Sequence, residues 1–203
     1  NIADEMMAAV DKSDAARFSL QEILDPEGWV LLNYLMDART GLGRFRTFRI
    51  SNYTLMMELI NACRHLEIGQ ILQLPDVRER VELYFEQSAK AKEQIQRCTQ
   101  VHDKLAVLDL RAEETIWATN RFMIYALFPE TNLSIHVLWG LQKQNTVFAV
   151  GKSILDRSCN LNVGTLMLEY GGGGHQAAGT CQVANDQAAA TLQALIVRAK
   201  AGG

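Results

Sequence analysis

Four consecutive glycines, Gly171 to Gly174, followed by His175 and closed by Ala177-Ala178-Gly179, constrain this chain more than any other stretch. Glycine loses more backbone entropy on folding than any other residue, so four together inside an ordered region need a compensating reason. One glycine is enough to end a helix; four do not follow from a cap. Close approach of a ligand to the backbone is the reason that fits. Successive N–H groups can turn into one concavity and hold anionic oxygens, and His175 adds a further donor. Small residues at 177–179 keep the far side tight. The run therefore predicts a phosphate-bearing ligand, bound by Gly171, Gly172, Gly173, Gly174 and His175. A flexible loop at a helix end is the competing reading.

Two other clusters suit the same kind of ligand. Arg39, Arg44, Arg46 and Arg49 fall within eleven residues, with no acid between Asp37 and Glu58. Arginine offers planar, bidentate recognition of phosphate, so Arg44 and Arg46 are candidate ligand contacts; arginines paired with carboxylates elsewhere are the alternative. Asp11 and Asp14, in VDKSD, stand at the end of an apolar helical segment, where carboxylates facing a cleft can hold a divalent cation. Lys12 beside them is equally a salt-bridge partner. His65, His102 and His136 are scattered and read as structural. Two nucleotide-motif lookalikes fail on context. Gly151-Lys152-Ser153 resembles the end of a phosphate-binding loop, but the required earlier glycine falls on Thr146. A dinucleotide fingerprint at Gly172, Gly174 and Ala177 should follow a strand, whereas this run follows a predicted helix.

With 48% hydrophobic and 21% charged residues, the 203-residue chain is ordinary globular protein, of one large domain or two small ones. A net charge of -3 argues against a general nucleic-acid coat protein but leaves room for a local anion site. No apolar run approaches the ~20 residues of a membrane span, and the opening NIADEMMAAVDKSD lacks the pattern of a signal peptide. Cys63, Cys98, Cys159 and Cys181 form no C-x-x-C pair and read as free thiols in a reducing cytoplasm.

Periodicity divides the chain into three blocks. Residues 1–72 are mostly helical: Ala3 to Val10 has helical spacing, Gly28 to Met36 is a buried helix, and Ser51 or Asn52 caps a helix through Cys63. Residues 73–100 form one helix opened by Pro75, about 37 Å long at ~1.5 Å per residue, with Val77, Val81, Tyr84, Phe85, Ser88, Ile95 and Cys98 on its apolar stripe. It is read as a linker joining two domains, with a core helix of one domain as the alternative. Residues 101–203 interleave strands and helices: Lys104–Leu110 a strand, Thr119–Leu127 a helix, Leu133–Leu141 and Thr146–Gly151 a hairpin, Val163–Tyr170 a short helix, Thr180–Val183 a strand and Asp186–Lys200 a closing helix.

The segment VGKSILDRSCNLNVGTLMLEYGGGGHQAAGT resembles the substrate-binding motif of the DHH-associated C-terminal domain. GWVLLNYLMDARTGLGRFRTFRISNYTLMMELI resembles the exopolyphosphatase-related branch of DHH-family phosphoesterases, which also includes nanoRNases. The resemblance implies an α/β fold: residues 1–72 as the mostly helical C-terminal part of a DHH catalytic domain, 73–100 as a linker helix, and 101–203 as a mixed-sheet substrate-binding domain. It implies a metal-dependent phosphoesterase that hydrolyses P–O bonds of short oligonucleotides, nucleotides or polyphosphate, with two divalent metals, usually manganese. Gly171–Gly174 and His175 would bind substrate phosphate, with Ser153 and Arg157 facing the same site and Asn160 and Asn162 as helpers. The family's Asp-His-His triplet does not occur in these 203 residues, so the polypeptide is expected to be part of a longer chain and inactive by itself, with Asp11 as the remaining metal ligand and Asp14 second. Expected partners are a phosphorylated small substrate or a short single-stranded oligonucleotide. Monomer and homodimer are both compatible. A non-catalytic binding module, similar to the C-terminal domain of alanyl-tRNA synthetases, or a regulatory relative that senses a nucleotide, is the alternative.

Overall fold

A computed structural model describes residues 2–44 and 48–202. Arg46 lies outside the described residues, and of Arg44 only the backbone is described. The described chain forms two units, residues 1–93 with 116–123 and residues 94–115 with 124–203.

The first unit is helical, with α1 (Ile2–Asp14), α2 (Leu20–Leu24), α3 (Gly28–Met36), α4 (Asn52–His65), α5 (Ile68–Leu72) and most of α6 (Pro75–Cys98). Local signals set several of these ends. Ser19 opens α2 with a reciprocal capping box: its hydroxyl accepts from the Glu22 N–H while the Glu22 carboxylate accepts from the Ser19 N–H. Ser51, not Asn52, caps α4, its Oγ accepting from the Thr54 N–H at 3.0 Å. Pro75 occupies the first position of α6, where no donor is needed. The apolar α3 buries Val30, Leu31, Leu32, Tyr34 and Leu35. Phe18, Tyr34 and Phe122 form an aromatic cluster with ring centroids 5.3 to 6.5 Å apart. Along α6, Val77, Tyr84, Ala91 and Ile95 are buried as the helical period demands. Phe85 does not join them: it remains 41% exposed, edge-on to Tyr84.

The second unit is built on a six-stranded mixed sheet. Its elements are β1 (Thr99–His102), β2 (Leu105–Asp109), α7 (Met123–Leu127), β3 (Leu133–Trp139), β4 (Thr146–Lys152), α8 (Val163–Leu168), β5 (Gly173–His175), β6 (Ala178–Val183) and α9 (Ala188–Gly202). The strand order is β1-β2-β3-β4-β6-β5. Only β2 and β3 run parallel among these neighbours, and the crossover that a parallel pair needs is residues 110–132. The expected hairpin of β3 and β4 is present, its turn held by Gln142 and Lys143 at positive φ. The fold class is α/β, as the sequence predicts.

Three expectations are corrected. The helix predicted to run to Gln100 stops at Cys98, and Thr99–His102 pairs with β2. The helix predicted over Thr119–Leu127 is reduced to Met123–Leu127. Asn120 turns the chain just before it, its carboxamide accepting from the Phe122 N–H and donating to Ile23 O and the Tyr84 hydroxyl. Lastly, half of the glycine run is a strand: β5 pairs with β6 through Gly173↔Thr180, Gly174↔Gly179 and His175↔Ala178.

Residues directly opposite one another share a face of the sheet, and the faces alternate along each strand. Leu105, Val107, Leu133, Ile135, Val137, Phe148, Val150 and Cys181 lie on one face and form the core with Val163, Leu166 and Met167 of α8 and Leu195, Ile196 and Ala199 of α9. The register puts two other rows on the opposite face: Ala106–Ser134–Gly151–Ala178–His175 and Leu108–His136–Ala149–Thr180–Gly173.

Candidate functional site

The glycines do not share one task. Gly171 has φ +71 and follows α8; its N–H donates to Leu168 O at 3.1 Å, and the next N–H, on Gly172, donates to Met167 O at 2.9 Å. That pair of bonds is a Schellman cap, so Gly171 ends the helix. A Cβ on Gly172 would overlap Thr180 O, and one on Gly174, at φ +156, would overlap Ala178 O and the Cα of Gly179. From the helix side, a Cβ on Gly164 would come within 2.9 Å of the Gly174 carbonyl group, and one on Gly179 within 2.9 Å of the Met167 side chain. Gly172 and Gly174 let the run close onto β6, and Gly164 and Gly179 let α8 pack on the β5–β6 hairpin at close range. Gly173 is different: an added Cβ meets no atom within 4 Å, so nothing in the described chain accounts for the missing side chain there. The concavity of N–H groups expected from the whole run is thus narrowed, because the N–H groups of Gly171 and Gly172 are consumed by the cap.

Gly173 and His175 share the sheet face opposite α8 and α9. His175 is exposed, and its Nδ1 accepts from the Ala177 N–H at 3.2 Å. In the neutral ring this leaves the proton on Nε2, a donor for a group outside the chain. Beside it the floor is small: Gly151, Ala178, Ala149 and Thr180 follow along the two rows. Tyr125 fixes that floor. Its hydroxyl is 2.6 Å from Gly151 O and 2.8 Å from the Ser134 Oγ, and burial raises its pKa. The tip of the hairpin is tied on both sides: Val163 N–H donates to Gln176 O at 3.2 Å, and Lys152 N–H to Ala177 O at 2.9 Å. The tip therefore joins the end of β4 to the start of α8.

Of the other predicted residues, Ser153 lies next to this tip but is 4% exposed, and its Oγ accepts from the N–H groups of Leu155 and Asp156, both at 3.1 Å. It shapes the turn after β4. Arg157 is exposed on the same loop and donates to Ile154 O. Asn162 caps α8, its side chain accepting from the Thr165 N–H; Asn160 is exposed just before it. Lys152, set aside in the sequence as part of an incomplete phosphate-binding loop, ends β4 at the hairpin tip and has no ion-pair partner among the described residues. The signal that points to it is position alone, a lysine closing a strand next to the glycine hairpin.

In the arginine segment, Arg39 is held by Asp37 through bonds of 2.7 and 2.9 Å and Arg49 by Asp76, so these two follow the carboxylate-paired alternative. Asp11 is exposed on α1. Asp14 borders an apolar groove of about 480 Å³ lined by Met6, Trp29, Met36 and Met56, among others. Lys12 pairs with Glu22. Among the described residues no three His, Cys, Asp or Glu side chains stand close enough to hold a metal ion. Asp11 and Asp14 are thus not joined by further ligating side chains among the described residues. No helix among the described residues is long and apolar enough to cross a membrane.

No family model matches the sequence, and the search of curated proteins finds no match. Among solved structures, PggH from Vibrio cholerae, described as a pGpG-specific phosphodiesterase, is 62% identical, with a TM-score of 0.87 over 98% of this chain and 67% of its own length. An exopolyphosphatase-related protein from Bacteroides fragilis is 14% identical, with a TM-score of 0.47 over 80% of this chain and 47% of its own. The likeness to PggH runs through the helical unit and the sheet unit with its glycine hairpin alike, and on that ground this chain belongs to the DHH family of phosphoesterases.

Proposed function

We propose that this chain is the phosphate-gripping portion of a phosphodiesterase that cleaves short phosphorylated dinucleotides of the pGpG kind. The observation that carries the reading is the face shared by Gly173 and His175: an open backbone position two residues from a histidine whose Nε2 proton points outward, in a chain 62% identical to PggH. A phosphate oxygen placed over Gly173 approaches the backbone without meeting a side chain, and Nε2–H donates to a second oxygen. Lys152 and Arg157, on the adjoining strand end and loop, supply positive charge. These groups hold charge that is already on the phosphate and charge that grows on its oxygens as the P–O bond breaks. Manganese belongs to the proposal as an assay condition, with Asp11 supplying at most one of its ligands. A cytoplasmic setting belongs to it as well, in keeping with four cysteines that are free in the structure.

The test is His175→Ala in the full-length protein, assayed with manganese on pGpG, short RNA and polyphosphate. Loss of one positioned donor is expected to lower kcat/KM on pGpG by about a hundredfold, with the thermal midpoint unchanged because His175 is exposed. Unchanged kinetics on every hydrolysed substrate would refute the role assigned to His175. Faster cleavage of polyphosphate than of pGpG would refute the substrate class.

A further inference from the structure

His136 is a titratable group that the phosphate grip does not use. It stands in the middle of the sheet, on the row Leu108–His136–Ala149–Thr180–Gly173, and so on the same face as Gly173 and His175. Exposure along that row grows in one direction. Leu108 is 2% exposed, His136 and Ala149 are partly exposed, and Thr180 is exposed. The covered end of the row is therefore at β2, and His136 closes the inner end of an open strip that leads to the hairpin. No hydrogen bond or ion pair reaches its ring among the described residues, yet neither nitrogen is sealed from solvent. Burial alone holds its pKa down, to about 4. At pH 7 the ring is neutral, with one N–H to donate and one bare nitrogen to accept. Polar groups at the edge of a core are seldom left without a partner.

The strip has the length of a nucleotide. Three strand intervals of ~4.8 Å separate Gly173 from His136 along the row, about 14 Å in all. Between them the row offers only Ala149 and Thr180. The next row on this face is Leu138–Val147–Gln182, in which Leu138 and Val147 are partly exposed. Small and apolar side chains make a floor for a flat ring, and a few polar groups at its rim fix the orientation. With a phosphate over Gly173, an extended nucleoside monophosphate lays its base on Ala149 and Val147 and brings the base edge to His136. Guanine presents two acceptors, N7 and O6, on one edge, and a neutral histidine N–H donates to either. We infer that His136 reads the base: its ring N–H hydrogen-bonds the purine edge of the nucleotide whose phosphate is held at Gly173 and His175. The inference rests on the phosphate grip proposed above and adds the base to it.

The experiment titrates the 203-residue chain with 5′-GMP and with ribose 5-phosphate, which carries the same phosphate and no base, by calorimetry at pH 7 and fixed ionic strength. Wild type is expected to bind 5′-GMP at least about tenfold more tightly than ribose 5-phosphate. His136→Leu should weaken 5′-GMP about five- to tenfold and leave ribose 5-phosphate unchanged, which also reports that the sheet is intact. His136→Gln, which keeps a donor, should retain most of the preference. His175→Ala should weaken both ligands alike. A preference for 5′-GMP that survives His136→Leu, or an equal fall of both ligands in that variant, would overturn the inference and leave the phosphate grip standing. Affinities for both ligands that ignore His175→Ala would overturn the grip itself, and with it the span from which His136 is assigned. Absence of 5′-GMP binding to wild type would overturn both.

Discussion

A methyl group added at Gly174 would overlap the carbonyl oxygen of Ala178, whereas one added at Gly173 would meet nothing within 4 Å. The two positions are adjacent, and the sheet sends them to opposite faces. Gly174→Ala is expected to destabilise the protein by about 3 kcal/mol or more, since the overlap is with backbone and the φ of +156 adds strain. Gly173→Ala should change stability by no more than about 0.5 kcal/mol yet raise KM for the phosphorylated substrate severalfold. Denaturant midpoints and steady-state kinetics on the pair separate the two roles; equal loss of stability in both would contradict the geometry. From sequence, the run of four announces that something is close to the backbone. It does not say that the neighbour is β6 at Gly172 and Gly174 and an outside group only at Gly173, because that division depends on strand parity and on how β5 pairs with β6.

Among the elements, α6 shows how one side chain can hold an irregular segment to a helix. Arg80 is 0% exposed. Its guanidinium donates to Asn52 Oδ1 at 2.8 Å, Asp76 O at 2.7 Å and Ile50 O at 2.8 Å, and it lies 4.1 Å from the centre of the Phe48 ring. Burial lowers its pKa, partly offset by Glu79 and Asp76. Arg80→Ala removes three donors at once and leaves buried acceptors behind, an expected loss of about 3 kcal/mol or more, read as a lower denaturant midpoint at unchanged m-value. Helical period alone does not predict this burial, because nothing local announces that Arg80 reaches the carbonyl of Ile50 thirty residues upstream. Local chemistry does announce the ends of elements: Ser51 and Pro75 open their helices where the sequence says they should, and Gly28–Met36 is helical throughout. The boundary at Thr99 was hidden, since the helical stripe through Ile95 and Cys98 runs straight into β1. Asn120 likewise shortens α7 through partners at Ile23 and Tyr84, far away in the chain.

On the scale of the whole molecule, acid stability should fall in two stages. His136, on the middle of the sheet, is pushed down by burial from 6.5 to about 4. Between those values the unfolded chain binds a proton that the folded chain refuses, so stability declines as pH falls through that window. The loss is about 2 kcal/mol after discounting for the part of the ring that water reaches. Below this, carboxylates stabilised in their charged form are protonated. Glu113, held down to about 2 chiefly by Arg97 and then by Gln94, loses its contribution as pH falls from its ordinary 4.5 toward 2. Unfolding free energies measured at pH 7, 5 and 4 should show the first decline in wild type and a flat profile in His136→Gln, with the fall below pH 4 kept in both. The net charge of -3 predicts none of this; it averages over a sheet unit whose ionisable groups are individually placed.

The alternation of faces in β5 has a consequence at the level of the gene. Four glycine codons in a row are a short repeat, and gaining or losing one leaves the protein's composition almost untouched. A change of one residue between the cap at Gly171 and the strand reverses which side of the sheet each later side chain occupies. His175 would then be directed at α8, and a position that needs no side chain would take its place. The length of the run, more than its glycine content, is what a related sequence has to preserve to keep this site.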